Sequence, residues 1–276
     1  MKPKALVLQA YGTNRDIDVM DALTLAGADP FGVPLNELRE NKTLFQDYQL
    51  LIVPGGFSYA DALGAGKLLA LDLASYFEEE ITTFVESGKP VIGICNGFQA
   101  LVKSGILPFG NSEKKDGRGK EEKEKEEREK EGAEATLTFN AHGHFECRWV
   151  TLRPVSQKCI WTRGLEDLIL CPIAHGEGNF QASKLFPLSS FVLHEQIAII
   201  YTCADGSPAN KRYPANPNGS ILDIAGICNP RGNVLGLMPH PENHIHAWQH
   251  PRHTRGEAGQ SGLKLFENGV KYAQRV

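Results

Sequence analysis

The stretch Lys89-Pro90-Val91-Ile92-Gly93-Ile94-Cys95-Asn96-Gly97-Phe98-Gln99 begins as a strand and ends as a helix, with no loop between them. Val91 to Ile94 is a short apolar run of the kind buried on both faces of a sheet, and Asn96 to Ser104 continues at helical spacing until Gly105 stops it. The junction Gly93-Ile94-Cys95-Asn96-Gly97 has the G-x-nucleophile-x-G form of a nucleophile elbow, whose glycines permit a turn too tight for side chains. Such a turn lifts Cys95 above the carboxyl edge of the sheet, where open α/β sheets bind ligands. It also sets the thiol at a helix N-terminus, whose dipole favours a thiolate, and frees the Asn96 N–H to donate to a developing oxyanion. Taken alone, the pentapeptide also fits a buried strand-end cysteine beside packing glycines.

Outward from the elbow, strand and helix signals alternate. Lys4 to Gln9 reads as a strand, Asn14 to Gly27 as a helix ended by its glycine, Phe31 to Leu35 as a second strand and Tyr48 to Val53 as a buried third. Lys67 to Ser87 reads as one helix closed by Gly88. The second half is richer in strands, at Leu137 to Phe139, Phe145 to Leu152, Leu168 to Ile173, Ile197 to Tyr201, Ile224 to Cys228 and Val234 to Leu237. Asn229-Pro230-Arg231-Gly232 between the last two is a hairpin turn, and Leu263 to Tyr272 is a closing amphipathic helix. Buried strands separated by helices predict an α/β fold with a doubly wound, mostly parallel sheet.

A cysteine nucleophile needs a base, and the base needs a group to orient it. Met238-Pro239-His240-Pro241-Glu242 supplies both directly after an apolar strand, with Glu242 placed to hold the His240 imidazole and Pro241 stiffening the link. Pro54-Gly55-Gly56-Phe57-Ser58 follows another buried strand, and its two glycines let backbone N–H groups approach a ligand closely, although an ordinary turn has the same composition. Gly64-Ala65-Gly66-Lys67 resembles the end of a phosphate loop but fails that pattern, because Asp61 and Leu68 stand where glycine and Ser/Thr are required. Any ATP chemistry therefore belongs to a partner.

The 276 residues include 29 basic and 33 acidic side chains, a net charge of −4 that offers no attraction to nucleic acid or an anionic membrane. No run of about 18 apolar residues suggests a membrane span. The apolar run at the N-terminus stops at Gln9, too short for a signal peptide, so a cytoplasmic location is expected. Six cysteines, at 95, 147, 159, 171, 203 and 228, are never closer than 12 residues and lack metal-site spacing, so free thiols are expected. Residues 113–134 are different: 18 of 22 are charged, leaving almost nothing apolar to bury. They read as a solvated, low-complexity insert within a single domain, with a docking arm as the alternative. His240, His244, His246, His250 and His253 invite a metal reading, but Pro241 and Pro251 interrupt them and only Glu242 joins them, so no metal is expected.

Gly-Ile-Cys-Asn-Gly-Phe-Gln (93–99), Pro-Gly-Gly-Phe-Ser (54–58) and Pro-His-Pro-Glu (239–242) resemble the three signatures of class I, triad-type glutamine amidotransferases. Gly-Thr-Asn-Arg-Asp (12–16), Gly-Gly-Phe-Ser-Tyr-Ala-Asp (55–61), Phe-Glu-Cys-Arg-Trp-Val (145–150), Pro-Ile-Ala-His-Gly-Glu-Gly (172–178) and Asn-Pro-Asn-Gly-Ser (216–220) are similar to glutaminase subunits of phosphoribosylformylglycinamidine synthases. The resemblance covers nearly all of residues 1–276 except 112–135, and Arg15 departs from it where many relatives carry cysteine.

The resemblance implies a flavodoxin-like fold with Cys95 as nucleophile, His240 as general base and acid, and Glu242 as its orienting carboxylate. It implies an oxyanion hole from the N–H groups of Gly56 and Asn96, and a glutamine site shaped by Gly55, Phe57 and Gln99, with His175 and Glu177 close by. Purine biosynthesis is the implied pathway. The ammonia would pass to a synthetase partner that holds ATP and magnesium, in a complex completed by a small third subunit; this chain itself would bind no cofactor. Another class I amidotransferase would keep the triad but lose the stretches at 57–61 and 145–150. A different cysteine hydrolase would keep the elbow without needing His-x-Glu, and a purely regulatory subunit would tolerate loss of the triad.

Overall fold

The elbow's strand lies near the middle of a nine-stranded sheet in the computed structural model, which describes residues 2–108, 135–183, 188–257, 259 and 261–276. In chain order the first half contains β1 (Lys4–Gln9), α1 (Asp16–Leu25), β2 (Asp29–Pro34), α2 (Leu35–Glu40), β3 (Leu50–Val53), α3 (Lys67–Tyr76), α4 (Glu78–Glu86), β4 (Val91–Ile94) and α5 (Asn96–Lys103). The second half adds β5 (Ala135–Thr138), β6 (Glu146–Pro154), β7 (Ile169–His175), β8 (Asn179–Ala182), α6 (Leu188–Leu193), β9 (Ile197–Thr202), β10 (Ile224–Cys228), β11 (Val234–Leu237) and α7 (Leu263–Ala273). The expected insert at 113–134 lies outside the described residues.

The sheet order is β2-β1-β3-β4-β11-β10-β9-β6-β7, and β5 pairs with β8 in a separate two-stranded sheet. Neighbours from β2 to β11 are parallel, and those from β11 to β7 are antiparallel. Following these pairings across the sheet, seven of the nine strands point the same way, with β10 and β6 reversed. The carboxyl ends of β3, β4, β11 and β7 therefore share one edge, along with the start of β6. That edge carries the site.

Every residue of β3, β4 and β11 is buried, as expected for strands covered on both faces. Helix α1 packs with α7, and α3 with α5, over this part of the sheet. The apolar register is continuous here: Val53 pairs with Gly93 and Gly93 with Gly236. Gly236 is small because a Cβ would lie 2.1 Å from the Phe98 ring of α5. Helix packing against β11 therefore depends on that missing side chain.

The structure corrects several expected boundaries. The helix expected over 67–87 is two helices, divided at Phe77, whose φ of −125° is not helical. Phe77 is fully buried and packs on Phe45, so a tertiary contact overrides local helical periodicity. The second strand starts at Asp29 rather than Phe31, and Leu35 instead opens α2. β8, with its polar sequence Asn-Phe-Gln-Ala, lacks a strand signature and is fixed by pairing with β5. The hairpin at 229–232 is present, closed by the Gly232 N–H donating to the Asn229 carbonyl at 2.9 Å.

Candidate active site

Cys95 sits between β4 and α5 with φ 51° and ψ −106°, a left-handed conformation for a residue with a side chain. Holding a residue there costs on the order of 1–3 kcal/mol and requires support from its surroundings. The Cys95 N–H donates to the Leu237 carbonyl at 2.8 Å, and its own carbonyl accepts from the Gln99 N–H at 3.0 Å. A Cβ on Gly97 would lie 1.9 Å from the Val53 carbonyl oxygen, and one on Gly93 would lie 2.5 Å from Leu101. These contacts explain both elbow glycines. Cys95 is 6% exposed, with Sγ 3.7 Å from the Ala174 carbonyl of β7.

His240 leaves β11 at the same edge, its N–H bonded to the Pro172 carbonyl of β7 at 2.8 Å. Residues Pro241–Asn243 form a 3-10 turn that brings Glu242 back beneath the ring. The imidazole Nδ1 and Glu242 Oε1 are 2.6 Å apart, with both side chains buried. Burial opposes charge on the ring, but the Glu242 carboxylate bonded to it and the neighbouring Cys95 sulfur raise His240 to about 10. Gly55 explains how these groups come so close. A Cβ there would lie 2.9 Å from His240 Cε1 and 3.4 Å from Cys95 Cβ.

Gly56 has φ 134°, a region that favours glycine, and a Cβ on it would lie 2.7 Å from the Asn14 nitrogen. The Phe57 N–H bonds the Gly12 carbonyl at 3.1 Å, and the Phe57 side chain stays 47% exposed at the rim. Asn96 begins α5, so its N–H has no partner within the helix. Gln99 is buried behind the elbow, where Nε2 donates to the Glu177 carbonyl at 2.7 Å. The Glu177 carboxylate accepts from the Ala65 N–H at 3.4 Å and pairs with Lys103 at 3.6 Å.

His175 ends β7 and is also buried, with Nδ1 3.0 Å from Asn140 Oδ1 and no hydrogen-bond partner at Nε2. Burial, reinforced by the nearby positive charge of His240, lowers it to about 4, so the ring is neutral. Gly178 lies against this ring, where a Cβ would approach within 2.3 Å. Thus the structure brings Cys95, His240, Glu242 and Gly55 together directly, with Asn96, Gln99, Glu177 and His175 packed around them. Phe57 is the outermost of the expected site residues.

Sequence reasoning missed Asn140, and it singled out Ser58–Asp61 only as part of the 55–61 resemblance, with no role attached. Asn140 Oδ1 accepts from the Gly178 N–H at 3.0 Å and Nδ2 donates to the His175 carbonyl at 2.8 Å. Nothing in the neighbouring sequence signals these contacts, which span more than 30 residues. Three other histidines of the 240–253 stretch have hydrogen-bond partners of their own: His244 the Leu170 carbonyl, His246 the Asp21 carboxylate at 2.7 Å and His250 the Arg252 N–H at 3.2 Å. Among the described residues no group of three or more His, Cys, Asp or Glu is placed to hold a metal. No helix among them is long and apolar enough to cross a membrane.

An elbow cysteine beside a buried imidazole–carboxylate pair on a doubly wound sheet defines a class, and comparison with known proteins bears it out. Residues 2–273 match the model of the CobB/CobQ-like glutamine amidotransferase domain. Phosphoribosylformylglycinamidine synthase subunit PurQ of Treponema denticola is 52% identical over 275 residues, covering 99% of each chain. The subunit PurQ of Dehalococcoides mccartyi is 42% identical, covering 100% of this chain and 99% of its own. The chain belongs to the glutamine amidotransferase family, and within it to the PurQ subunits of phosphoribosylformylglycinamidine synthase. A chain in the structure of PurLQS from Thermotoga maritima superposes with a TM-score of 0.71 at 31% identity, over 99% of both chains. A glutamine amidotransferase from the same organism, at 14% identity and a TM-score of 0.55, shares the fold.

Proposed function

We propose that this chain hydrolyses glutamine to glutamate and ammonia and supplies the ammonia to an ATP-dependent synthetase that converts formylglycinamide ribonucleotide to formylglycinamidine ribonucleotide. The observation that carries this reading is the buried His240–Glu242 pair directly beside the elbow cysteine. Cys95 thiolate attacks the side-chain carbonyl carbon of glutamine, and the N–H groups of Gly56 and Asn96 receive the developing oxyanion. His240, held as imidazolium by Glu242, gives its proton to the departing nitrogen, which leaves as ammonia. A water molecule then attacks the γ-glutamyl thioester, His240 takes the proton, and the Cys95 sulfur leaves as glutamate forms.

The missing side chain at Gly55 leaves room for Cys95 and His240 to sit side by side, and Gln99, Glu177 and His175 pack around them. The names of the relatives, PurQ and PurLQS, support a synthetase partner of the PurL type and a small third subunit. ATP and magnesium belong to the synthetase, and the working location is the cytoplasm. The partner also serves an economy: glutamine is hydrolysed only when an acceptor waits. Rotation of the Gly55–Gly56 peptide would remove one oxyanion donor, and losing one such donor costs about 100- to 1000-fold in turnover.

Glutamate release is measured for the chain alone and with its synthetase, ATP and formylglycinamide ribonucleotide. Release rises by about 100-fold or more on addition of the loaded synthetase. In the same complex Cys95→Ala abolishes glutamine-dependent amide transfer and leaves ammonia-dependent transfer intact. Equal loss of both activities in Cys95→Ala would overturn the nucleophile assignment.

A further inference from the structure

Asn96 contributes a backbone N–H to the proposed oxyanion hole, but its side chain is committed elsewhere. It is 2% exposed, and all four of its hydrogen-bonding positions are used. Oδ1 accepts from the Ser58 N–H at 3.2 Å and from the Ser58 hydroxyl. Nδ2 donates to Asp61 Oδ1 at 2.8 Å and to Gln99 Oε1 at 3.1 Å. One side chain at the start of α5 thus grips the turn that follows Gly55-Gly56-Phe57.

That turn would not hold its shape unaided. Tyr59, Ala60 and Asp61 have φ of 55°, 54° and 51°, three successive left-handed residues none of which is glycine. Each brings its Cβ against a carbonyl oxygen, so the conformation persists only where neighbours enforce it. Asp61 Oδ1 accepts from the Gly66 N–H at 3.4 Å as well as from Asn96, and the Tyr59 hydroxyl bonds to Asp72. Gly66 is itself fixed against α5, where a Cβ would lie 2.9 Å from Gln99 Cβ. The Ser58–Asp61 turn is therefore fastened to the elbow helix at both ends.

The two proposed oxyanion donors lie on different segments, Gly56 after β3 and Asn96 at the start of α5. Their separation must be held to a fraction of an ångström in the transition state, because a 1 Å misplacement costs about 100-fold in rate. We propose that the Asn96 side chain, with Asp61 as its acceptor, is the positioning device that fixes the Gly56 and Asn96 N–H groups relative to each other. The proposal rests on the glutaminase reading above. It assigns Asn96 and Asp61 to formation of the tetrahedral intermediate, and to neither glutamine binding nor thiolate formation.

The test uses the full chain reconstituted with its synthetase, in wild type and in Asp61→Asn, Asp61→Ala and Asn96→Asp. Asp61→Asn keeps an oxygen for the Asn96 and Gly66 N–H groups, so its glutaminase kcat stays within about threefold of wild type. Asp61→Ala loses that acceptor, and Asn96→Asp sets a second acceptor against it at unchanged size. Both lose about 10- to 100-fold in kcat, with KM changed less than threefold. Alkylation of Cys95 by iodoacetamide, followed on its own peptide, proceeds at the wild-type rate in all three, because displacement at that carbon forms no oxyanion. Unchanged kcat in Asp61→Ala and Asn96→Asp would overturn the proposal, as would slowed alkylation parallel to kcat or an Asp61→Asn as impaired as Asp61→Ala. Should Asp61→Ala fail to fold, Asn96→Asp decides alone. If the wild-type complex releases no glutamate from glutamine, the glutaminase reading fails first; if it does and the variants match it, only this inference fails.

Discussion

His240 leaves the last strand of the parallel half of the sheet, and His175 ends the outer strand of the antiparallel half. Both residues are 3% exposed, and both lie at the same sheet edge. Yet His240 is pushed up to about 10 and His175 down to about 4. Burial disfavours the charged ring in both cases, so the partners decide the outcome. His240 Nδ1 meets the Glu242 carboxylate, with Cys95 beside the ring, whereas His175 Nδ1 meets the neutral amide oxygen of Asn140. One half of the sheet thereby favours a charged ring at its edge, and the other a neutral ring packed against Gly178.

The sharpest way to break this contrast is to remove the charged side of it. His240→Ala loses the proposed base and acid, and kcat of the synthetase complex with glutamine falls by about 10⁵-fold or more. Glu242→Gln gives His240 the kind of amide neighbour His175 has, and kcat falls by a smaller factor, about 10³ to 10⁴. Steady-state rates measured with glutamine and with ammonia separate these losses from damage to the synthetase. A Glu242→Gln loss as large as that of His240→Ala would mean that the carboxylate does more than orient and charge the ring.

Stability against pH sharpens the same comparison from the antiparallel side. His175 lies below its unfolded value near 6.5, so below that pH the unfolded chain holds a proton that the folded chain refuses. Its effect is to reduce stability as pH falls from about 6.5 to about 4, by up to about 3 kcal/mol, and to level off below. His240 has the opposite sign: its pairing stabilises fully below the unfolded value and is lost as pH rises through about 10. Asn140→Asp would give His175 a carboxylate, as His240 already has. Urea midpoints between pH 7 and pH 4 should then fall less steeply than in wild type, although the variant starts less stable because Asn140 Nδ2 no longer serves the His144 and His175 carbonyls. A slope identical to wild type would detach the acid sensitivity from His175.

The smallest effect is expected from the charged stretch at 113–134. Deleting residues 113–134, replaced by a short Gly/Ser bridge, removes 18 charged side chains and almost no apolar ones. The unfolding free energy should change by less than about 2 kcal/mol, measured by urea denaturation. A larger loss would show that this stretch supports one of the two halves. Weakened association with the synthetase at unchanged stability would instead make it a docking arm.

What the sequence by itself determined is local. The elbow is legible because a strand, a nucleophile, two glycines and a helix are contiguous from Val91 to Gln99, and β4, β10 and β11 fall at the expected residues. His240 and Glu242 are legible as a pair because only Pro241 separates them and a short turn joins them. The tertiary structure alone decided the rest. It broke the 67–87 helix at Phe77, because burying that ring outweighs continued helical hydrogen bonding. It set β7 to point with β4, so that His175 arrives at the thiol's edge from 80 residues away. It also gave two equally buried histidines opposite charge preferences and bound Asn96 to a strained turn 38 residues distant in sequence. Local order follows from propensity and spacing over a few residues. Partner, charge and strain depend on long-range contacts that form only when the sheet assembles.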